Sequence, residues 1–138
     1  MPAKDRYHDC VENALIKDGW VITHDPLRVS WGGKDLYVHL GAEQLLAAEK
    51  GDRRIAVEVK SFIGKSEVDD LEKAAGQYVL YRAVLAERHP GWVLLLAVPD
   101  PAVRDVFDQP LGRLLVKNQS IQIIGFDPET EEITRWIP

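Results

Sequence analysis

The segment from residue 44 to residue 62 constrains the fold of this chain more than any other part of the sequence. Two apolar runs, 44–50 and 54–62, flank Gly51-Asp52, a dipeptide that is typical of tight turns between antiparallel strands. The second run alternates β-branched residues with others, as a pleated strand with two different faces does. Although the letters LLAAEK in the first run also suit a helix, the β-rich neighbourhood favours two paired antiparallel strands.

Patterns elsewhere in the chain predict helices and further strands around this hairpin. Apolar residues recur at helical spacing before Asp18-Gly19, and Ser66 stands where it can cap a second helix. The predicted helices cover 3–17 and 66–88, and a third helical stretch lies in two pieces around Pro110. The further predicted strands cover 20–23, 27–31, 35–40, 92–98, 120–126 and 133–137. Turns are predicted at Asp25-Pro26, Gly32-Gly33 and Asp127-Pro128. This order predicts an α/β fold, a mixed central sheet flanked by helices, as a single domain over residues 1–138.

The composition narrows the classes of protein to which the chain can belong. With 138 residues, of which 46% are hydrophobic, the chain can bury a core of its own. Its one cysteine, Cys10, excludes an intramolecular disulfide and a cysteine-rich zinc site, and fits the reducing cytoplasm. The sequence has neither an apolar run long enough to span a membrane nor a secretion signal. The formal net charge of -5 argues against a protein that coats nucleic acid through a strongly basic surface.

Glu58 and Lys60 are the first candidates for a functional site. They stand two positions apart in the strand predicted over 54–62, so their side chains project from the same face. In the plainest interpretation, this face is exposed to solvent and the two charges form a weak surface ion pair. In the functional interpretation, they act with Glu43, which the hairpin brings from the start of the preceding strand to the side of Glu58.

The functional interpretation predicts a site for a divalent metal ion. The carboxylates of Glu43 and Glu58, together with the backbone carbonyl of Val59, offer the oxygen ligands that Mg²⁺ or Mn²⁺ prefers. A metal ion held by these ligands would activate a water molecule and offset charge on a phosphate oxygen. Lys60 would orient the nucleophile or stabilise the transition state. This set of residues therefore predicts metal-assisted hydrolysis of a phosphodiester.

The same residues resemble the motif of the PD-(D/E)xK nuclease superfamily, in which an acid is followed by Glu-x-Lys. The corresponding positions here are Glu43 and then Glu58-Val59-Lys60, after an N-terminal helix. Gln77 and Tyr81, which share one helix face, form a Gln-x-x-x-Tyr pattern similar to that of RecB-like members. The resemblance implies a restriction-endonuclease-like fold, with Gln77 and Tyr81 near the active site and the nucleic acid. It also implies a homo-oligomer that addresses two strands.

Three further residues are alternatives or additions to this set. Glu12 in the first helix matches the place where many superfamily members carry another metal-site acid, and equally suits a solvated helix surface. Asp35 is the rival of Glu43 for the first acid, because it begins the predicted strand DLYVHL. His39 stands where related sequences tend to carry an acid, and we interpret it as an ordinary strand histidine.

A longer resemblance covers almost the whole chain. It is carried by the runs KDRYHDCVENALIKDGWVITHDPLRV, DLYVHLGAEQLLAAEKGDRRIAVEVKSF, AAGQYVLYRAVL and DPETEEITRWIP, which resemble the XisH family, the fdxN element excision controlling factors of cyanobacteria. The resemblance implies a role in programmed excision of a DNA element, with DNA and a site-specific recombinase or other excision protein as partners. It leaves two functions open: a Mg²⁺-dependent endonuclease, or a catalytically inactive factor that binds DNA or the recombinase and controls excision.

Basic and aromatic residues complete the expectations from sequence. Phosphate contacts are expected from a set of basic residues around the proposed site: Arg53, Arg54, Lys60, Lys65, Lys73 and Arg82. The tryptophans are spread along the chain, with no interleaving of aromatic and basic residues, at Trp20, Trp31, Trp92 and Trp136. We therefore expect them in the core or at an interface, and not at a site that stacks single-stranded nucleic acid.

Overall fold

The computed structural model describes residues 7–36, 45–64 and 66–137 of the chain. Its α-helices are α1 (His8–Lys17), α2 (Glu67–Arg88), α3 (Asp100–Ala102) and α4 (Pro110–Gln119). Its strands are β1 (Val21–Leu27), β2 (Ser30–Trp31), β3 (Lys34–Asp35), β4 (Leu45–Lys50), β5 (Arg53–Val59), β6 (Val93–Pro99), β7 (Ile123–Asp127) and β8 (Glu132–Ile137). A π-helical turn, Val103–Phe107, links α3 to α4. This order confirms the predicted mixed α/β arrangement.

Six of these strands form one mixed sheet, in the order β1-β4-β5-β6-β7-β8, while β2 and β3 form a separate small hairpin. The strands β1, β4 and β5 are antiparallel neighbours, and β8 is antiparallel to β7. In the centre, β5, β6 and β7 run parallel, because α2 and then α3 to α4 return the chain to the same edge before each new strand. The carboxyl ends of β5, β6 and β7 therefore lie together at one edge of the sheet.

The predicted hairpin of β4 and β5 is confirmed. Lys50 pairs with Arg53 beside the turn, and Leu45 pairs with Glu58 at the open end. The turn glycine, Gly51, has a φ of 61°, a left-handed conformation that glycine adopts without steric cost. The expected pairing of the last two strands across the turn after β7 is also confirmed.

Two expectations near the N-terminus are wrong or only partly met. Asp25-Pro26 does not turn the chain, because both residues lie within β1, which instead shifts register against β4 at two points. The hairpin around Gly32-Gly33 forms, but each of its strands has only two residues. The remainder of the strand predicted over 35–40 begins at Leu36, and residues 37–40 lie outside the described residues.

The strand predicted over 54–62 ends at Val59. Phe62 has a φ of 56°, which is left-handed and incompatible with a strand. The described residues between β5 and α2, which are 60–64 and 66, are therefore irregular, and α2 begins where it was predicted to begin. The Ser66 side chain accepts a hydrogen bond from the backbone N–H of Asp69 at 3.2 Å, as an N-cap does.

Both faces of the six-stranded sheet are covered. On one face, α1 packs over alternate residues of β5, namely Ile55, Val57 and Val59. On the other face, α2 packs over Ala56 and its neighbours with the apolar side chains of Leu71, Ala74, Tyr78 and Tyr81. Because side chains alternate along a strand, Glu58 and Ala56 belong to the face that α2 covers. The two faces of β5 are therefore both core, with one acid among the core residues.

Candidate active site

Glu58 lies near the carboxyl end of β5, in the middle of the sheet. It pairs with Leu45 of β4 on one side and with Leu96 of β6 on the other. Its exposed fraction is 0%, so its carboxylate is buried. The expectation of a solvent-exposed surface for this strand face is wrong, because the alternation of β5 reflects two buried faces under different helices.

Lys60 follows the last residue of β5 and continues its alternation. Its backbone N–H donates a hydrogen bond to the carbonyl oxygen of Ala97 at 3.0 Å, so the chain stays attached to β6 at this position. The side chain is partly buried. Val59, between the two charged residues, buries its side chain in the core under α1, so its backbone carbonyl is the group it can offer to a ligand.

The helix α2 brings the predicted Gln-x-x-x-Tyr residues to the same face of the sheet as Glu58. Tyr81 is buried in the core that α2 shares with β5, and Gln77 is partly buried on the same helix. The structure therefore places Glu58, Gln77 and Tyr81 between one helix and one sheet face. The opposite side of α2 is exposed: Val68 and Val79 are 51% and 39% exposed, whereas Tyr81 is 1% exposed.

Tyr78 anchors α2 to the sheet beside this site. Its hydroxyl donates a hydrogen bond to the carbonyl oxygen of Leu94 at 2.8 Å and accepts one from the backbone N–H of Gln122 at 3.1 Å. Burial raises the pKa of the Tyr78 hydroxyl above its ordinary value, and the negative charge of Glu58 acts in the same direction. No local sequence pattern indicates this polar role of Tyr78, because its two partners lie in other segments of the chain.

A second acid, Asp70, holds the segment that follows Lys60. Asp70 is buried in the first turn of α2, and its Oδ2 accepts a hydrogen bond from the backbone N–H of Gly64 at 2.9 Å. A Cβ atom on Gly64 would stand 2.6 Å from Oδ1 of Asp70, so glycine is needed for this close approach. Asp70 was not among the residues singled out from the sequence. The available signal was its place in the first turn of the predicted helix, directly after Asp69, whose backbone N–H bonds to the N-cap Ser66.

A small cavity of about 180 Å³ opens at the carboxyl edge of the sheet, next to the end of β5. The residues that line it come from the segment after β5 and from the start of the next helical stretch, and include Ser61, Phe62, Glu67, Pro99 and Asp105. Ligands of open α/β sheets bind at the carboxyl ends of parallel strands. The cavity borders the segment that follows Lys60, but neither Glu58 nor Lys60 lines it.

Several sequence-predicted residues lie outside the described residues. These are Glu43, the favoured first acid, together with His39 and Lys65. Glu43 precedes Leu45 by two positions in the sequence, and Leu45 is the β4 residue that pairs with Glu58. Its role as a metal ligand stays a prediction.

The rival first acid, Asp35, lies in β3 of the small hairpin. Its Oδ2 is 2.6 Å from Nη2 of Arg28, in a surface ion pair. Its carboxylate is therefore already matched by a cation from the segment just before the hairpin. Glu49, near the turn of β4 and β5, lies 3.7 Å from Arg54 across the strand pair.

Glu12 lies in α1, which covers the opposite face of the sheet from Glu58. One ligand atom from each of His8, Asp9 and Glu12 lies within 4.8 Å of the others, an arrangement that suits a cation. His8 is buried, and its Nε2 lies 2.7 Å from Oδ1 of Asp25 in β1. In the part of the chain that the structure describes, Glu58 does not belong to such a group of three.

The expected cluster of basic residues is split by the direction of β5. Arg53 and Arg54 stand at the amino end of this strand, whereas Lys60 follows its carboxyl end, so their expected place around the site is wrong. Lys73 pairs with Asp69 on the surface of α2 at 3.2 Å. Arg82 lies with its guanidinium carbon 5.3 Å from the ring centroid of Tyr78.

The fold and this arrangement define a class: a small α/β protein with a mixed six-stranded sheet and a buried carboxylate beside a lysine at the carboxyl end of a central strand. A family model described as XisH protein matches residues 1–134. The chain belongs to the XisH family, as its sequence resemblance indicated.

Two solved structures are similar to this chain over nearly its whole length. One is an XisH family protein from Nostoc punctiforme PCC 73102, with 38% sequence identity and a TM-score of 0.89, covering 97% of this chain and 100% of that chain. The other is an fdxN element excision controlling factor protein from Anabaena variabilis, with 38% identity and a TM-score of 0.87, covering 96% of this chain and 98% of that chain. No curated protein matches the chain.

Among the described residues, no helix combines the length and the apolar composition that crossing a membrane requires.

Proposed function

We propose that this protein processes DNA during excision of a DNA element, as a metal-dependent endonuclease with Glu58 and Lys60 at its centre. The observation that carries the proposal is the complete burial of the Glu58 carboxylate at the carboxyl end of β5. Burying a carboxylate costs free energy unless cations or hydrogen-bond donors stabilise it. Perturbed or buried acids of this kind concentrate at functional sites.

The donor set fits a hard divalent cation such as Mg²⁺ or Mn²⁺. Glu58 would hold the ion with the backbone carbonyl of Val59 and with Glu43, the acid that precedes the β4 residue paired with Glu58. A bound ion of this type lowers the pKa of a water ligand and offsets charge on a phosphate oxygen. Asp35 is less suited to this role, because its carboxylate is matched by Arg28.

The other site residues have roles that their positions support. Lys60 continues the face of Glu58 and would orient the nucleophile or stabilise charge on the phosphate. Gln77 and Tyr81 on α2 would contact the substrate or hold Glu58 in place. Glu12 in α1 would add a ligand only if a second cation bound on the other face of the sheet.

The order of elements supports a restriction-endonuclease-like fold for this proposal. A helix, three antiparallel strands, a second helix and a parallel strand follow one another from α1 to β6 around the proposed site. The relative from Anabaena variabilis is described as an fdxN element excision controlling factor. We infer that DNA is the substrate here, that a site-specific recombinase or other excision protein is the partner, and that a homo-oligomer addresses both strands.

Binding of Mn²⁺ or Mg²⁺ measured by calorimetry, followed by cleavage of a supercoiled plasmid, tests the proposal. The variants are Glu58→Gln, which keeps the shape and removes the charge, Lys60→Met, and Glu87→Gln as a control on the exposed side of α2. Glu58→Gln is expected to lose metal binding and cleavage, and Lys60→Met to lose cleavage while it still binds metal. The control is expected to behave as the wild type, and thermal unfolding checks that each variant is folded. Unchanged metal binding and cleavage in Glu58→Gln would refute the proposal.

A second candidate is a catalytically inactive factor that binds DNA or the recombinase. The formal net charge of -5 favours it, because an acidic protein has a weaker general attraction for DNA. In that case the same experiment gives neither metal-dependent cleavage nor a difference between the wild type and Glu58→Gln.

A further inference from the structure

A second candidate site lies at the opposite end of β5 from Glu58. A cavity of about 550 Å³ opens there, a volume typical of small-molecule pockets. We call it the Trp–Arg pocket and define it by six of its lining residues: Arg53, Arg54, Val93, Gln122, Trp136 and Ile137. Arg53 and Glu58 are roughly 16 Å apart along the strand at the usual rise per residue.

The pocket borders both faces of the sheet at the amino end of β5. Ile55 and Leu95 belong to the core under α1, whereas Ile137 packs against the core under α2. Glu58 does not line the pocket. The length of β5 therefore separates a ligand in the Trp–Arg pocket from the metal and phosphate chemistry proposed for the other end of the strand.

The pocket contains an arginine that lies beside two neighbouring indole rings. The guanidinium carbon of Arg53 lies 5.1 Å from the ring centroid of Trp20 and 5.9 Å from that of Trp136. The two indole centroids are 6.2 Å apart, with an angle of 33° between the ring planes. Trp20 is 2% exposed and fixed in the core, whereas Trp136 is 41% exposed. Trp136 therefore presents indole surface to a ligand beside a positioned cation.

The charges around the pocket leave Arg53 as its available cation. Arg54 lies 3.7 Å from Glu49, and Lys50 lies 3.8 Å from Asp18. Among the described residues, no carboxylate lies within ion-pair distance of Arg53, whose partners are the two indole rings. Two acids, Asp18 and Asp52, also line the pocket, and Asp18 accepts a hydrogen bond from the indole N–H of Trp20 at 3.1 Å. An anionic group would therefore be attracted to the Arg53 guanidinium beside the indole rings and repelled from the part of the pocket that these acids line.

We propose that the Trp–Arg pocket holds an unstacked nucleobase of single-stranded DNA, with the base on Trp136 and its phosphate at Arg53. Stacking on an aromatic ring beside a cation is the usual way in which proteins hold single strands without sequence preference. Gln122 supplies an amide for a base edge, and Val93 and Ile137 supply the apolar floor. This inference rests on the proposed function in one respect: excision breaks DNA strands and so produces single-stranded ends to be held.

The chain offers a matched control for the chemistry of the pocket. The guanidinium carbon of Arg88 lies 5.2 Å from the ring centroid of Trp31, and Trp31 is 51% exposed. Neither residue lines the Trp–Arg pocket. If any exposed tryptophan beside an arginine contributed to DNA binding, the Trp31–Arg88 pair would contribute as much as the Trp136–Arg53 pair.

The test is a fluorescence or anisotropy titration with labelled oligothymidylate of about 16 nucleotides, a length within the reach of single-strand binding surfaces. Wild type is compared with Trp136→Ala, Arg53→Glu and Trp31→Ala. We expect Trp136→Ala to weaken binding roughly tenfold or more, since one stacked base is worth that much. Arg53→Glu, which changes an exposed side chain, is expected to weaken binding further. It should also reduce the slope of the logarithm of affinity against the logarithm of salt concentration by about one. Trp31→Ala is expected to bind as the wild type does.

Three results would overturn the inference. They are an equal loss in Trp136→Ala and Trp31→Ala, an unchanged affinity in both Trp136→Ala and Arg53→Glu, and no detectable binding of oligothymidylate by the folded wild type. The last result would point to a protein partner at the pocket instead.

Glu58→Gln separates this inference from the proposed function. If it binds oligothymidylate normally and loses metal binding and cleavage, and the pocket variants weaken binding as expected, both proposals stand. If it retains metal binding and cleavage, the proposed function fails whatever the pocket variants do. If only the pocket variants behave as the wild type, the pocket inference fails alone.

Discussion

The hydroxyl of Tyr78 in α2 donates a hydrogen bond to the carbonyl oxygen of Leu94 in β6, at 2.8 Å and out of contact with solvent. The hydroxyl oxygen of Tyr78 also accepts a hydrogen bond from the backbone N–H of Gln122. One side chain therefore joins the helix that carries Gln77 and Tyr81 to two segments of the central sheet.

Tyr78→Phe is expected to destabilise the protein by about 1–3 kcal/mol, because it leaves two buried backbone groups without their partner. Urea unfolding followed by circular dichroism measures the change. Val79→Ala, at a partly exposed position of the same helix, is the control and is expected to cost less than half as much. Equal costs for the two substitutions would mean that the hydrogen bonds of Tyr78 contribute no net stability.

The Tyr78 hydroxyl also predicts a dependence of stability on pH. Its pKa in the folded protein lies above the ordinary value of 10.0, so its contribution is complete below pH 10.0 and is lost as the pH rises through the raised pKa. The difference in unfolding free energy between wild type and Tyr78→Phe should therefore shrink at alkaline pH. A constant difference across that range would contradict this expectation.

Two helical glycines should respond in opposite directions to the same substitution. A Cβ on Gly112 in α4 would stand 2.1 Å from the backbone carbonyl oxygen of Val106, whereas a Cβ on Gly76 in α2 meets nothing within 4 Å. Gly112→Ala is expected to destabilise by roughly 3 kcal/mol or more, because backbone must move. Gly76→Ala is expected to stabilise by about 0.5–1 kcal/mol, through helix propensity. Thermal unfolding of the two variants measures both effects, and a destabilised Gly76→Ala would show that the helix requires this glycine.

Gly64 and Asp70 should be energetically coupled. Gly64→Ala forces a methyl group against the Asp70 carboxylate, which would stand 2.6 Å away, and Asp70→Ala removes that obstacle together with the hydrogen bond. We expect the double variant to be more stable than the sum of the single effects predicts, by about 0.5–3 kcal/mol. A double-mutant cycle by urea unfolding measures the coupling, and additive effects would mean that the loop moves away from Asp70.

Cys10 should react slowly while the protein is folded. Burial, with the charges of Glu131 and Asp127, raises the pKa of its thiol from 9.0 to about 11. At pH 8 the reactive thiolate is then about a hundredfold scarcer in the folded than in the unfolded protein. Reaction with an aromatic disulfide reagent, followed by absorbance with and without urea, tests this expectation. A fast reaction without urea would show that the thiol is accessible and not shifted.

The proposed function makes a prediction for Gln77. If this residue contacts the substrate, Gln77→Ala should lower plasmid cleavage roughly tenfold and leave metal binding unchanged, since a lost polar contact of this kind costs about 1.4 kcal/mol or more. Glu87→Gln on the same helix is the control. Loss of metal binding in Gln77→Ala would instead indicate that Gln77 positions Glu58.

Local sequence signals predicted much of the fold. The turn at Gly51-Asp52, the cap at Ser66 and the apolar run of β6 each act over a few neighbouring residues, and the structure follows all three. Asp25-Pro26 was wrong because proline is compatible with an edge strand as well as with a turn. The end of β5 was predicted too late because a left-handed Phe62 has no signature in composition.

The site was predictable where it depends on alternation and not where it depends on packing. The shared face of Glu58 and Lys60 follows from strand geometry, but the burial of Glu58 depends on α2, which covers that face from elsewhere in the chain. Arg53 was grouped with Lys60 because the two are near in sequence, although a strand separates them. The Trp20–Arg53–Trp136 contact joins three distant segments, so sequence spacing gave no sign of it.

The irregular register of β1 affects whether this edge of the sheet can pair with a strand of another molecule. β1 is an outer strand of the sheet, and its pairing with β4 shifts twice along its length. It also contains Pro26, which has no backbone N–H to offer. An outer strand that is kinked and lacks a donor is a poor template for another strand. The interrupted pairing of β1 therefore protects this side of the molecule against edge-to-edge aggregation.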